Sequence, residues 1–288
     1  MPPPQTHEQT TPRKLRVLDL FSGIGGFSLG LERTGGFETV AFCEIDPFCR
    51  GVLAHHWPEV PIHDDVTTME FFNGQADVIT GGFPCQDISV AGKGDGIDGV
   101  RSGLWSEIVR ALSEIRPKYG IFENSQRLTT GDDGRWFATV LRDLAALGFD
   151  AEWHCIPASF VGAPHARDRV WIIVTDASRS VELPRGGLLF GWGQQLADQA
   201  AETATDNRQH VQLEPKRLLG YIGRWALHRS KRDWHEAWHD KLQALRSVDD
   251  GVPRKLERRR SGPFGNAVVP VLPEMLGTAI LAAETTDR

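Results

Sequence analysis

The sequence predicts an α/β fold, a doubly wound and mostly parallel sheet with helices on both faces. Three observations point to it. Short apolar runs alternate with stretches of helical periodicity from residue 15 to about 175, the order that a parallel sheet with crossover helices requires. The first run ends in a glycine-rich turn that opens a helix. Later runs end in acids, an amide or a Pro-Cys pair, and in doubly wound sheets ligands bind beyond the carboxyl ends of the strands.

The elements follow in order. Leu15 to Phe21 reads as a strand, Ser22-Gly23-Ile24-Gly25-Gly26 as a turn, and Phe27 to Glu32 as the start of a helix. Glycines there let backbone approach a ligand, and the helix start offers free N–H groups. Thr39 to Cys43 is a second strand ending in Glu44, nineteen residues after Gly25. An acid near that offset hydrogen-bonds a ribose hydroxyl in dinucleotide-type folds. The glycine spacing is GxGG, not GxGxxG, which weakens a NAD reading and leaves any adenosine-bearing cofactor open. Asp64-Asp65-Val66 follows a third short run, where a carboxylate suits either an adenine amino group or a helix cap.

Ala76 to Thr80 is a further strand, followed by Gly81-Gly82 and then Pro84-Cys85-Gln86 at a strand-to-loop edge. A thiol there is placed as a nucleophile, although on its own it is equally explained as a buried structural cysteine. Residues 87–103 hold five glycines and are expected to form a mobile loop, with Lys93 and Arg101 in reach of phosphate. Tyr119 to Ser125 is another strand, with Glu123 and Asn124 at its carboxyl end. Helical periodicity at Trp136, Phe137, Val140, Leu141, Leu144 and Leu147 stops at Gly148. His154 and Cys155 are expected to pack on the strand that follows. Arg167 and Arg169 share one side at the start of the run Val170 to Val174, suiting either substrate oxygens and Glu123 or an ordinary salt bridge.

Composition narrows the partners. The chain has 288 residues and a net charge of −6, yet residues 207–260 carry fourteen Lys and Arg against seven Asp and Glu. That segment is +7 and the remainder −13, so a local basic face for phosphate is available despite the acidic total. Trp192, Trp225, Trp234 and Trp238 lie in the same region. Trp234 and Trp238 have helical spacing and are read as core, while Arg224, Arg229, Lys231 and Arg232 are the candidate readers of base edges. Four cysteines, at 43, 49, 85 and 155, form no CxxC pair, which argues against a disulfide framework or a structural zinc. No apolar stretch approaches the ~20 residues needed to cross a bilayer, and the start of the chain lacks a signal-peptide pattern. The expected location is the cytoplasm, and no metal is expected.

Taken together, the motifs resemble the DNA (cytosine-5) methyltransferases of bacteria and their phages. Phe21-Ser22-Gly23-Ile24-Gly25 matches the cofactor loop of that family, Glu44 and the adjoining Ile45 its ribose acid region, and Asp65-Val66 its adenine contact. Pro84-Cys85-Gln86 matches the nucleophile motif, Glu123-Asn124 the catalytic acid motif, and Arg167 with Arg169 the paired arginines. Gly265-Asn266-Ala267-Val268-Val269-Pro270 matches the closing motif of the cofactor pocket. Two departures stand out: Ser125 replaces the usual valine and His165 the usual glutamine.

The resemblance implies a Rossmann-like fold that uses S-adenosyl-L-methionine, with Leu104 facing the cofactor. It implies a disordered tail at 1–13, a catalytic domain formed by 14–175 and 262–288, and a small target-recognition domain at 176–261. Cys85, Glu123, Arg167, Asn124 and Arg169 form the implied catalytic set. Phe21, Ser22, Gly23, Ile24, Gly25, Gly26, Glu44, Ile45, Asp65, Val66, Pro84, Leu104, Asn266 and Ala267 form the implied cofactor set. The implied partner is double-stranded DNA, met as a monomer. Rival readings are an RNA cytosine methyltransferase, a catalytically silent DNA-binding protein and, for the front half alone, a NAD-dependent oxidoreductase. The last leaves Cys85, Glu123 and the two arginines unexplained together.

Overall fold

The computed structural model describes residues 13–83, 103–158, 168–179 and 267–286. Among these residues seven strands form one sheet in the order β3-β2-β1-β4-β5-β7-β6. The strands are β1 (Leu15–Leu20), β2 (Phe37–Cys43), β3 (Ile62–His63), β4 (Val78–Gly82), β5 (Tyr119–Ser125), β6 (Phe149–Pro157) and β7 (Asp168–Asp176). The first five pair in parallel, while β7 runs antiparallel to both β5 and β6. The helices are α1 (Gly26–Arg33), α2 (Pro47–His56), α3 (Leu104–Ile115), α4 (Arg127–Thr130), α5 (Arg135–Ala146) and α6 (Val271–Thr286).

The central strands are buried on both faces, as a sheet covered by crossover helices requires. In β1 the residues Val17 to Leu20 are all fully buried, and in β5 burial runs from Tyr119 through Asn124. Alternation divides each strand between two cores. Val17, Ile121, Trp171 and Ile173 face Phe27 and Leu31 of α1 and Leu272, Met275 and Leu276 of α6. Leu18, Leu20, Ile79, Phe122 and Ile172 face Ile108 and Leu112 of α3 and Val140 and Leu144 of α5.

Local chemistry explains the boundaries. Asp46 caps α2 by accepting from the N–H groups of Phe48 (2.8 Å) and Cys49 (3.1 Å), and Pro47 takes the first helical position. Arg116 stops α3 in a left-handed conformation, and its guanidinium holds the Leu147 carbonyl (2.6 Å) and Asp176 (3.0 Å). The α5 stripe read from the sequence is found as expected, with Gly148 just beyond its end at φ 77°. Arg13, at the end of the segment read as a tail, donates to Asp77 at 2.9 and 3.0 Å.

β4 runs two residues past Thr80: Gly81 and Gly82 complete it, paired with Phe122 and Glu123 of β5. One expectation is corrected. Cys155 does not pack in the core but is exposed. It lies on β6, an edge strand, whose side chains have sheet neighbours on one flank only.

The last helix closes the fold onto the first. A Cβ added to Gly26 would collide with the Val268 carbonyl, and one added to Gly30 would collide with the Pro270 carbonyl and come within 2.9 Å of Pro273. Tyr119 donates to Glu284 at 2.8 Å, and Lys118 pairs with the same carboxylate at 2.6 Å. Because backbone meets backbone there, Gly30→Ala should destabilise the protein by about 1–3 kcal/mol, the range of forced overpacking. Urea unfolding of the two proteins measures the difference.

Candidate active site

The carboxyl ends of β1, β2, β3, β4 and β5 lie along one edge of the sheet because those strands are parallel. The turn after β1 is built from left-handed residues: Phe21 at φ 53°, Gly23 at φ 54° and Gly25 at φ 85°. A side chain at Gly25 would be strained, and its Cβ would lie 2.6 Å from the Trp57 ring. The Ser22 hydroxyl donates to the Asp19 carbonyl at 2.5 Å, and the Ser22 N–H to the Cys43 carbonyl at 3.2 Å. The turn is thereby tied to the ends of both β1 and β2. Gly26 opens α1 against Val268, so the closing segment with Ala267 is brought to the glycine turn.

Glu44 follows β2 and faces this turn. One carboxylate oxygen accepts from the Gly23 N–H at 2.7 Å and the other from the Asp46 N–H at 2.8 Å. Ionised carboxylates have further acceptor capacity on each oxygen, so Glu44 can shape the loop and still take a hydroxyl. Ile45 beside it is 74 % exposed, an apolar surface at the same edge, while Arg50 fixes its carbonyl at 2.7 Å. Asp65 follows β3 and accepts from both the N–H (2.9 Å) and hydroxyl (2.7 Å) of Thr67, which hold its carboxyl below the usual range. Val66 is buried, its carbonyl taken by Arg110 at 2.8 Å. Leu104 opens α3 and packs, partly buried, on the α3 face core.

Glu123 and Arg169 are brought together. The buried carboxylate Oε1 meets the Arg169 Nε at 2.7 Å, a charge-assisted contact in a place where an unpaired charge is costly. The other oxygen, Oε2, lies over Gly82, 3.4 Å from where a Cβ would stand. Gly82 is the last residue of β4 and leads through Phe83 to Pro84 and Cys85. Asn124 alternates to the opposite face, donates to the Phe83 carbonyl at 2.8 Å and accepts from the Ser125 N–H at 2.7 Å. Its amide therefore fastens the exit of β4 to the end of β5.

Pro84, Cys85, Arg167 and Asn266 lie outside the described residues, as do His165, residues 87–102 of the glycine-rich loop and residues 180–261 of the expected recognition region. Of the remaining thiols, Cys43 and Cys49 are buried, and that burial pushes each up to about 12. Neither is ionised near neutrality.

Asp19 was not singled out by the sequence reading. It is fully buried in β1, and its carboxylate accepts from Ser28 of α1 at 2.9 Å and Thr80 of β4 at 2.7 Å. An acid in the middle of an apolar run was the available signal, since unpaired acids are rarely buried. Burial raises its pKa to about 7, against the lowering effect of Thr80 and Ser28. Among the described residues there is no group of three or more His, Cys, Asp or Glu side chains placed to hold a metal.

A family model described as C-5 cytosine-specific DNA methylase matches residues 15–260. The Type II methyltransferase M1.ScrFI of Lactococcus lactis subsp. cremoris is 37 % identical over 164 residues, covering 57 % of this chain and 42 % of that protein. M.NgoBI of Neisseria gonorrhoeae is 37 % identical over 158 residues, covering 55 % and 50 % respectively. The chain thus spans about half the length of the curated relatives it matches. Among solved structures, the S. pombe Dnmt2 methyltransferase aligns with a TM-score of 0.43 at 20 % identity, covering 58 % of this chain and 50 % of that one.

The raised Asp19 pKa gives a signed pH dependence. Folding holds its proton above the ordinary value near 4, so its contribution is full below about pH 4 and is lost as pH rises through about 7. Asp77 and Asp176, both depressed, act in the opposite sense and only as pH falls below about 4. Unfolding free energy should therefore drop between pH 5 and pH 8 by on the order of a few kcal/mol more in the wild type than in Asp19→Asn. Denaturant titrations at the two pH values check it.

Proposed function

The chain belongs to the C-5 cytosine-specific DNA methylase family, and from that premise we propose that it transfers a methyl group from S-adenosyl-L-methionine to carbon 5 of cytosine in double-stranded DNA. The observation that carries the reading is the disposition of Glu123. One of its oxygens is bound by Arg169 and the other lies over Gly82, at the end of the strand that leads to Cys85. An acid so held at the exit of the strand that leads to the proposed nucleophile suits addition to an electron-poor ring.

The residues of the glycine turn fit the cofactor. Gly23 and Gly25 keep the turn free of side chains, Glu44 supplies a carboxylate for a ribose hydroxyl, Ile45 an apolar face, and Asp65 an acceptor for an amino group. Phe21, Ser22, Ile24, Gly26, Val66, Pro84, Leu104, Asn266 and Ala267 complete the proposed pocket. S-adenosyl-L-methionine supplies the methyl group when bound.

In the proposed reaction the target cytosine leaves the duplex stack, because carbon 5 is inaccessible within it. The Cys85 thiolate adds to carbon 6 while Glu123 hydrogen-bonds or protonates ring nitrogen 3, so that negative charge does not build up on the ring. A free thiol is only about 3 % ionised at pH 7, so proton loss must accompany the attack. After methyl transfer, loss of the carbon 5 proton and expulsion of Cys85 restore the ring. Arg167 and Arg169 orient the base and offset charge, and Asn124 holds the β4 exit in register. Residues 176–261, with their local basic excess, form the proposed recognition domain. We take the enzyme to act as a monomer in the cytoplasm, with no metal. No helix among the described residues is long and apolar enough to cross a membrane.

The test is methyl transfer from labelled S-adenosyl-L-methionine to unmethylated genomic DNA and to total RNA, followed by base-resolution mapping. Label should appear as 5-methylcytosine in DNA, vanish in Cys85→Ala and fall about 100-fold in Glu123→Gln. Label confined to RNA, or salt-sensitive duplex binding without transfer, would replace this reading with one of its rivals. Glu44→Gln puts an amide donor against one of two backbone N–H groups. It should raise KM for the cofactor about ten-fold with little change in kcat, read from initial rates.

A further inference from the structure

Four buried side-chain polar atoms among the described residues lack a hydrogen-bond partner: those of Thr39, Ser125, His154 and Trp171. Trp171 and Ser125 are neighbours of Glu123, and His154 lies one strand beyond Trp171. The antiparallel register sets Glu123, Trp171 and His154 in one row across β5, β7 and β6, with Ser125, Arg169 and Ile156 in the next. Directly opposed residues leave a sheet on the same face with their Cβ atoms about 5 Å apart.

Trp171 is the most constrained of the three. It is 1 % exposed, and its ring meets Phe27 edge-on with centroids 5.7 Å apart. An indole N–H can only donate, and buried donors are almost always met by protein or ordered water. Trp171 lines a small cleft with Glu123, Arg169, Ile156 and Val269, with room of about 10 Å³. That is roughly the space one water needs, provided it finds two or more polar partners. The other lining residues of the cleft, Ile156, Ala158 and residues 267–269 with Leu272, carry apolar side chains, which leaves Glu123 and Arg169 as the other polar side chains.

We propose that Trp171 positions Glu123 through a single buried water in this cleft, an inference that rests on the reading of Glu123 as the catalytic acid. The indole N–H donates to the water, and the water donates to Oε1, the oxygen already bound by Arg169. Each carboxylate oxygen accepts more than one hydrogen bond. Two donors on Oε1 fix the carboxyl plane and with it the direction of Oε2, which lies over Gly82. Trp171 is therefore a positioning residue, acting on the acid and not on the substrate.

Trp171→Phe keeps an aromatic ring against Phe27 and removes the N–H. Its kcat should fall about ten-fold, with KM for S-adenosyl-L-methionine and for DNA within about two-fold of wild type. High-resolution crystal structures of both proteins should show a water between Nε1 and Oε1 in the wild type and its loss or displacement in the variant. A dry cleft, or an indole N–H bound to His154 or to a backbone carbonyl, would overturn the proposal, as would an unchanged kcat in a variant that folds. If Trp171→Phe fails to fold, the wild-type structure alone decides. A water found in a wild type that transfers no methyl group would sink the proposed function and leave the water site standing.

Discussion

Placing Asp19 in the middle of β1 commits a carboxyl group to a site where its charge is poorly solvated, and two hydroxyl donors are the compensation. Ser28 reaches it from α1 and Thr80 from β4, so one buried group joins three elements that carry the site. The Ser22 hydroxyl adds a third tie, to the Asp19 carbonyl. The glycine turn rests on this cluster. Were Asp19 an apolar residue, α1 and β4 would still pack, but the hydrogen bonds that join both to the middle of β1 would be lost. Glu44 then completes the turn from outside through the Gly23 N–H.

The second constraint is the reversal of direction at β7. Parallel neighbours send their carboxyl ends to one edge, which gathers the glycine turn, Glu44, Asp65 and Glu123 there. A parallel β7 would carry its first residues to the opposite edge. Running antiparallel to β5, it begins at that same edge and presents Arg169 beside Glu123 and Trp171 directly across from it. The ion pair and the aromatic neighbour are thus consequences of topology. Burial makes the arrangement stringent, because a carboxylate at 7 % exposure is tolerated only with such partners.

Closure of the chain on itself supplies the remaining wall. Gly26 and Gly30 let the segment from Val268 to Pro273 approach α1 at backbone distance, and α6 then covers the face of the sheet that holds Trp171 and Ile173. The cleft beside Glu123 exists because residues 267–269 and Leu272 of the closing segment line it together with residues of β5, β6 and β7.

Much of this was legible in the sequence. The alternation of apolar runs and helical stripes determined the fold class, since its two periods follow directly from backbone geometry. The glycine turn and the acids at strand ends marked the edge where the carboxyl ends of the parallel strands meet, because short polar motifs that interrupt apolar runs announce themselves locally. Tertiary structure alone decided the rest. Which oxygen of Glu123 meets Arg169, that Asn124 turns away to hold Phe83, that Asp19 is shared by α1 and β4, and that Trp171 faces an acid all depend on strand order and register. Those are long-range choices, made by the packing of residues dozens of positions apart, and no local pattern encodes them. The same is true of where β4 ends, since Gly81 and Gly82 are strand because β5 offers them a ladder.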